Sequence, residues 1–131
     1  MDISSAINAG VSVKRPVEPH MSALAMDSGG VEVLSTPWMI AMMECASREA
    51  VQKHLPEGYT TVGTRVDVRH TAPAFIGAEV TVESRVVEIS GRTILFRVAV
   101  RCGDREVGSG LHERVAVNME KFMSRSMKGV R

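Results

Sequence analysis

The sequence has no excess of charge of either sign. Its 16 Lys and Arg face 15 Asp and Glu, leaving a net charge of +1. The two signs are interspersed, so the electrostatic footprint of a nucleic-acid binder is missing. Long hydrophobic runs are missing too: the longest, Trp38 to Met43, is about a third of a membrane span. The 2 cysteines, Cys45 and Cys102, stand apart without CxxC spacing. That usage implies reduced thiols and a cytoplasmic protein, and argues against a zinc site. The opening MDISSAINAGVSV has neither a basic leader nor an apolar block and reads as carrying no secretory signal. There is no internal repeat and no low-complexity segment. These absences leave a 131-residue chain, long enough for one domain with a single sizeable core.

What is present begins with STPWMIAMMECASREAV, residues 35–51. Ser35 and Thr36 can each cap a helix, and Pro37 suits the first helical position, where a missing N–H costs nothing. The spacing predicts a helix from about Pro37 to Leu55, ended by Pro56 and Gly58. Its first half is apolar on every side, so it needs cover on every side.

Elsewhere the period is two. Val11, Val13 and Val17 suggest a short strand over 10–18. Thr64, Val66, Val68 and His70 alternate with charged residues, and Val80, Val82, Ser84 and Val86 do the same up to the turn at Ser90-Gly91. TILFRVAVR, residues 93–101, is nearly continuous β-branched and aromatic sequence and reads as a central strand. After Cys102-Gly103-Asp104 a last strand returns over 105–117. One long helix and hairpin-linked strands give α+β with an antiparallel sheet of about five strands wrapped around one long central α-helix. Residues 1–10 read as a flexible N-terminal tail, 11–123 as the folded domain and 124–131 as a flexible C-terminal tail.

Few residues offer chemistry. Glu44 shares a helix face with Ile40, Ala41, Val51 and Leu55. It is either half of a surface pair with Arg48, one turn on, or a carboxylate in apolar surroundings, usable as acid, base or nucleophile. His70 ends a strand, as a hydrogen-bonded core histidine or a catalyst. Thr36 is a helix cap or an active-site hydroxyl. Gly63 is a turn, a bulge, or a place where substrate meets the backbone N–H. The glycines of GSGLHER, residues 108–114, mark a bulge or a close approach inside a strand. Within that motif His112 reads as a solvated edge residue, and Arg114 as a fork for a carbonyl or phosphate.

Together, Thr36, Met43-Glu44-Cys45, Gly63-Thr64, His70-Thr71-Ala72, the GSGLHER of 108–114 and the MEKF of 119–122 resemble a known family. The chain is similar, over about residues 11–122, to hotdog-fold acyl-CoA thioesterases, most of all the fluoroacetyl-CoA thioesterase branch. The resemblance implies a catalytic set of Thr36, Glu44 and His70, with Gly63 and Arg114 shaping the thioester site. It implies an acyl-CoA substrate, no metal, no cofactor beyond the CoA of the substrate, and a homodimer or higher homo-oligomer with its sites at the interface. In that branch a phenylalanine ahead of the helix covers the acyl group; gap-free alignment places Gly30 there, so a different short acyl group is equally expected. A hotdog enoyl-CoA hydratase or dehydratase, and a non-catalytic acyl-CoA binding module, are the alternatives. Thr36 and Glu44 lie about 12 Å apart along one helix, so either the substrate spans them or Thr36 works with Glu44 of the partner subunit.

Overall fold

The computed structural model describes residues 1–129. Its elements are β1 (Gly10–Pro16), α1 (Thr36–Gln52), β2 (Tyr59–His70), β3 (Glu79–Ser90), β4 (Thr93–Cys102), β5 (Arg105–Asn118) and α2 (Met119–Gly129), with 3-10 turns at Ser4–Ala6 and Pro19–Met21. The five strands form one sheet in the order β1-β3-β4-β5-β2. All neighbouring pairs are antiparallel. TILFRVAVR therefore does lie in the central strand, and β2 is an edge. Tight turns link β3 to β4 and β4 to β5, with Gly91 and Gly103 both at φ 60°, a conformation that costs glycine little and matches the right-handed twist of a hairpin.

Helix α1 starts where its local chemistry dictates. The Ser35 hydroxyl accepts the Trp38 N–H at 3.2 Å, and Pro37 occupies the first turn. Met39, Met42 and Met43 are almost fully buried against the sheet, where they meet a layer that includes Val82, Ile94 and Phe96. Each such side chain contributes on the order of 1.5–3 kcal/mol of burial energy. The hydroxyl of Ser47, buried in this layer, donates to the Met43 carbonyl at 2.8 Å and lies 2.8 Å from Ser84 Oγ, so its burial leaves no polar group unmatched. The sheet does not cover α1 on all sides. Thr36, Pro37, Ala41, Cys45 and Arg48 are exposed, and Ile40 and Glu44 are half-buried, so one stripe of the helix faces outward.

Both ends of the chain differ from the tails expected of them. Ile3 and Ala6 belong to the core, and the Val86 N–H donates to the Ala9 carbonyl at 2.8 Å. Two apolar anchors and a backbone bond tie the segment down. At the other end α2 continues through residue 129, its first turn capped by Asn118 Oδ1, which accepts the Lys121 N–H at 3.0 Å. The helical stripe Met119, Phe122, Met123 and Met127 straddles position 124, so reading the last eight residues alone hides its period. Residues 130–131 of the expected tail lie outside the described residues. Among the described residues no helix is long and apolar enough to cross a membrane.

Candidate active site

Two groups of side chains meet along α1 and β2, which run in opposite directions beside each other. At the start of the helix, Thr36 Oγ1 lies 2.8 Å from His70 Nδ1. Thr36 is there because Ser35, not Thr36, takes the capping position, which frees the Thr36 hydroxyl. His70 is there because β2 ends at it and β5 places Gly108 opposite. Burial holds the His70 imidazole below its ordinary pKa, with a backbone hydrogen bond at Ala72 working against the shift. Its Nε2 is buried without a hydrogen-bond partner, alone in this among side-chain N and O atoms of the described residues. With the Nδ1 hydrogen donated to Thr36 Oγ1, Nε2 is bare and can accept a proton. The pair opens on a cleft of about 420 Å³ whose walls include Val33, Leu34, Pro37 and Ala72.

Further along α1, Glu44 meets β2 and β5. Its Oε2 lies 3.4 Å from Arg114 Nη1. A β-carbon on Gly63 would sit 2.8 Å from that oxygen, so only glycine leaves the carboxylate its place. Gly63 also marks a register shift in β2, between Gly63 and Arg65, so the expected bulge is present, and the group that approaches its backbone is the Glu44 side chain. The other two glycines behave alike: Gly108 lies against Met39 and the Arg69 carbonyl, and Gly110 against the Asp67 carbonyl.

Arg114 is only 6% exposed. Its Nε donates to Thr61 Oγ1 at 2.7 Å and its Nη2 to the Thr61 carbonyl at 2.9 Å. Burial lowers its pKa, opposed by the Glu44 carboxylate, and a guanidinium stays charged throughout. Its remaining nitrogen, Nη1, faces both Glu44 and His112 Nε2, the latter at 3.2 Å. The structure thus joins Thr36 to His70, and Glu44 to Gly63 and Arg114, but keeps the two groups apart within one chain.

Three readings of the sequence change here. Glu44 does not lie in apolar surroundings; its side chain is 42% exposed and its neighbour is a buried cation. Among the described residues the ion-pair partner of Glu44 is Arg114 rather than Arg48. His112 is not a solvated edge residue but 1% exposed, stacked on Phe96 with ring centroids 6.0 Å apart. The last strand in the sequence is not the last strand in space: β5 lies between β4 and β2, so its inward residues are covered. The signal that could have revealed His112 is its shared face with Arg114, two positions on.

The arrangement has known counterparts. The sequence pattern described as "Fluoroacetyl-CoA-specific thioesterase" matches residues 17–120. The fluoroacetyl-CoA thioesterase of Streptantibioticus cattleyicolor is 38% identical over 91 residues, a stretch that covers 70% of this chain and 66% of that protein, just under two thirds of its length. The crystal structure of the fluoroacetyl-CoA thioesterase FlK superposes with a TM-score of 0.88 at 29% identity, covering 95% of this chain and 97% of that one. A hot-dog-like protein from Thermanaerovibrio acidaminovorans reaches a TM-score of 0.91 at 24% identity, over 100% of this chain and 98% of its own, which speaks for the fold. With its five-stranded antiparallel sheet packed on one long helix, the chain belongs to the fluoroacetyl-CoA-specific thioesterase family of the hotdog fold.

Proposed function

We propose that this protein is an acyl-CoA thioesterase that hydrolyses a short-chain acyl-CoA to the free acid and CoA. The observation that carries the reading is the 2.8 Å contact of Thr36 with His70 beside a cleft, with the imidazole Nε2 buried and unpartnered, in a chain of this family. Hydrolysis adds water across the C–S bond: oxygen goes to the carbonyl carbon, a proton to sulfur. Glu44 acts toward the carbonyl as nucleophile or as the base that activates water, and His70 carries the proton. Thr36 orients the reacting groups, and the Gly63 N–H is the candidate donor to the oxyanion. This acid–base chemistry calls for no metal and no cofactor beyond the CoA of the substrate.

The active unit in this proposal is a homodimer. Strand β2 is a 12-residue edge, and a free edge of that length is a template for pairing. Val66, near its middle, is 41% exposed. A two-fold axis runs two β2 edges antiparallel, which carries the His70 end of one strand toward the Gly63 end of its partner. Thr36 and His70 of one protomer then face Glu44 of the partner subunit, and the gap of about 12 Å along a single helix ceases to be an obstacle. The outward stripe of α1, with Ile40 and Ala41, gains cover in the same step. The reduced cysteines and the balanced charge fit a cytoplasmic enzyme that binds neither membrane nor nucleic acid.

The test is thiol release from acetyl-, fluoroacetyl-, propionyl- and butyryl-CoA, with crotonyl-CoA followed for loss of conjugation. Thiol release is expected from at least one saturated ester. Loss of conjugation without free thiol would make the protein a hydratase. Light scattering is expected to give the dimer mass, and a monomer that still turns over would remove the shared site.

A further inference from the structure

The family likeness gives Arg114 a place in the thioester site but leaves His112 without a task, although His112 is one of the most deeply enclosed polar residues in the chain, at 1% exposed. Its hydrogen bonds determine its chemical form. Nδ1 lies 2.8 Å from the Arg65 carbonyl, which can only accept, so Nδ1 carries a hydrogen. Nε2 lies 3.2 Å from Arg114 Nη1, which can only donate, so Nε2 carries none. Both ends of the ring therefore demand the same neutral tautomer. A second proton would set two donors and two cations against each other in a place sealed from water.

The consequence lies one atom further on. The Nε and Nη2 groups of Arg114 are committed to Thr61, which leaves Nη1 to be divided. One Nη1 hydrogen goes to His112; the other points to Glu44, whose Oε2 stays at 3.4 Å, long for a charge-assisted bond. Without an acceptor at Nε2, the guanidinium has only the carboxylate to turn to. It would close on Glu44 and reduce its nucleophilicity and basicity.

We propose that His112 is a positioning residue: its bare Nε2 anchors Arg114, and this holds Glu44 beside Gly63 as a loosely paired, reactive carboxylate. The inference rests on the thioesterase reading for its kinetic part and on ring geometry alone for the rest. The charged groups near enough to act on the imidazole are Arg114 and Glu113 of β5 and Glu44 of α1. From β4 it meets the uncharged Phe96 ring, and from β2 the Arg65 carbonyl and the bare Gly63 backbone.

Two substitutions and one spectrum test it. His112→Leu removes the acceptor while keeping an apolar body on Phe96, and His112→Gln offers an amide oxygen near the Nε2 position. His112→Leu is expected to lower kcat by about tenfold or more with KM little changed, as for loss of a group that acts only on the chemical step. His112→Gln should recover most of that loss, and the acid limb of its pH profile should be shallower by one proton, because glutamine does not titrate. Wild-type kcat and an unaltered acid limb in folded His112→Leu would overturn the proposal. The spectrum does not depend on turnover. Ring nitrogen NMR of the intact protein at neutral pH should show Nδ1 protonated and Nε2 bare, and an ordered Arg114 guanidinium resonance that His112→Leu shifts and His112→Gln keeps. The opposite tautomer, or an Arg114 resonance indifferent to both substitutions, overturns the anchor even if the protein hydrolyses no thioester. Failure of all esters with the expected spectrum overturns the thioesterase reading and leaves the anchor standing.

Discussion

Thr36 Oγ1 and His70 Nδ1 meet at 2.8 Å across 34 residues of sequence, joining the first turn of the helix to the last residue of the edge strand. The hydroxyl engages Nδ1 and leaves Nε2 buried without a partner. Thr36→Ala should therefore lower kcat by about 10²-fold, within the range of a lost proton-transfer partner. Thr36→Ser keeps the hydroxyl and should retain most of the rate. Steady-state thiol release measures both; a serine variant as slow as the alanine one would show that the methyl group, not the hydroxyl, matters.

At Gly63 the structure separates stability from activity. A methyl group there meets the Glu44 carboxylate at 2.8 Å, and that carboxylate ends a flexible, half-exposed side chain that can swing away. The methyl group would also lie 3.3 Å from His112 Cε1 and 3.4 Å from Arg114 Nη1, so Gly63→Ala should lower stability in urea by about 1 kcal/mol. Turnover should fall at least tenfold, because displacement of a reacting group by about 1 Å is enough for a large loss. Full activity in a folded Gly63→Ala dimer would remove Glu44 from its assigned place.

Glu44→Gln tests the charge itself. Because the carboxylate faces Arg114 rather than an apolar wall, glutamine leaves a buried guanidinium with one acceptor weakened. The pair is partly solvated, so the stability lost should be no more than about 1 kcal/mol. Turnover should fall by about 10² or more. A chemical melt and an assay on the same preparation decide between a structural and a catalytic carboxylate.

The half-buried His70 and the buried His112 set the pH dependence. Burial lowers the pKa of both His70 and His112 in the folded protein, while the unfolded chain keeps values near about 6.5. Below that pH the unfolded state binds more protons than the folded one, so stability rises with pH across this window. The urea midpoint is expected to stay level above pH ~7 and to drop as pH falls from about 6.5 toward the folded-state values. Activity should decline over the same acidic range, as His70 becomes protonated. A midpoint that climbs on acidification would contradict the sign.

Gly30 bears on acyl selectivity. A β-carbon added there meets nothing within 4 Å, so the segment ahead of the helix places no side chain over the cleft at that position. Little discrimination between fluoroacetyl- and acetyl-CoA is expected, since a hydrophobic contact of that kind is worth on the order of 1–3 kcal/mol of selectivity. Paired kcat/KM values for the two esters check it; a preference of many thousand-fold would require another residue to cover the acyl group.

Local order in this protein was legible without coordinates. The cap and proline at Ser35 and Pro37, the switch from a period near four to a period of two after Gly58, and the glycine turns at Gly91 and Gly103 are consequences of backbone sterics and side-chain alternation. These act over a few residues. They were enough to outline one helix, five strands and an α+β class, and they marked Gly63 as a turn or bulge.

The tertiary structure decided what depends on which strand lies beside which. Strand order is not chain order, so β5 became interior and buried His112, while β2 became an edge. The company Glu44 keeps followed from the same placement: a pairing with Arg114 joins residues 70 apart in sequence, and no helical period can announce it. The N-terminal end was likewise settled by packing, since Ile3 and Ala6 are tied down by a core built from residues distant in sequence. Hydrophobic period and turn chemistry are properties of neighbours along the chain; the state of a buried imidazole and the direction of a guanidinium belong to neighbours in space.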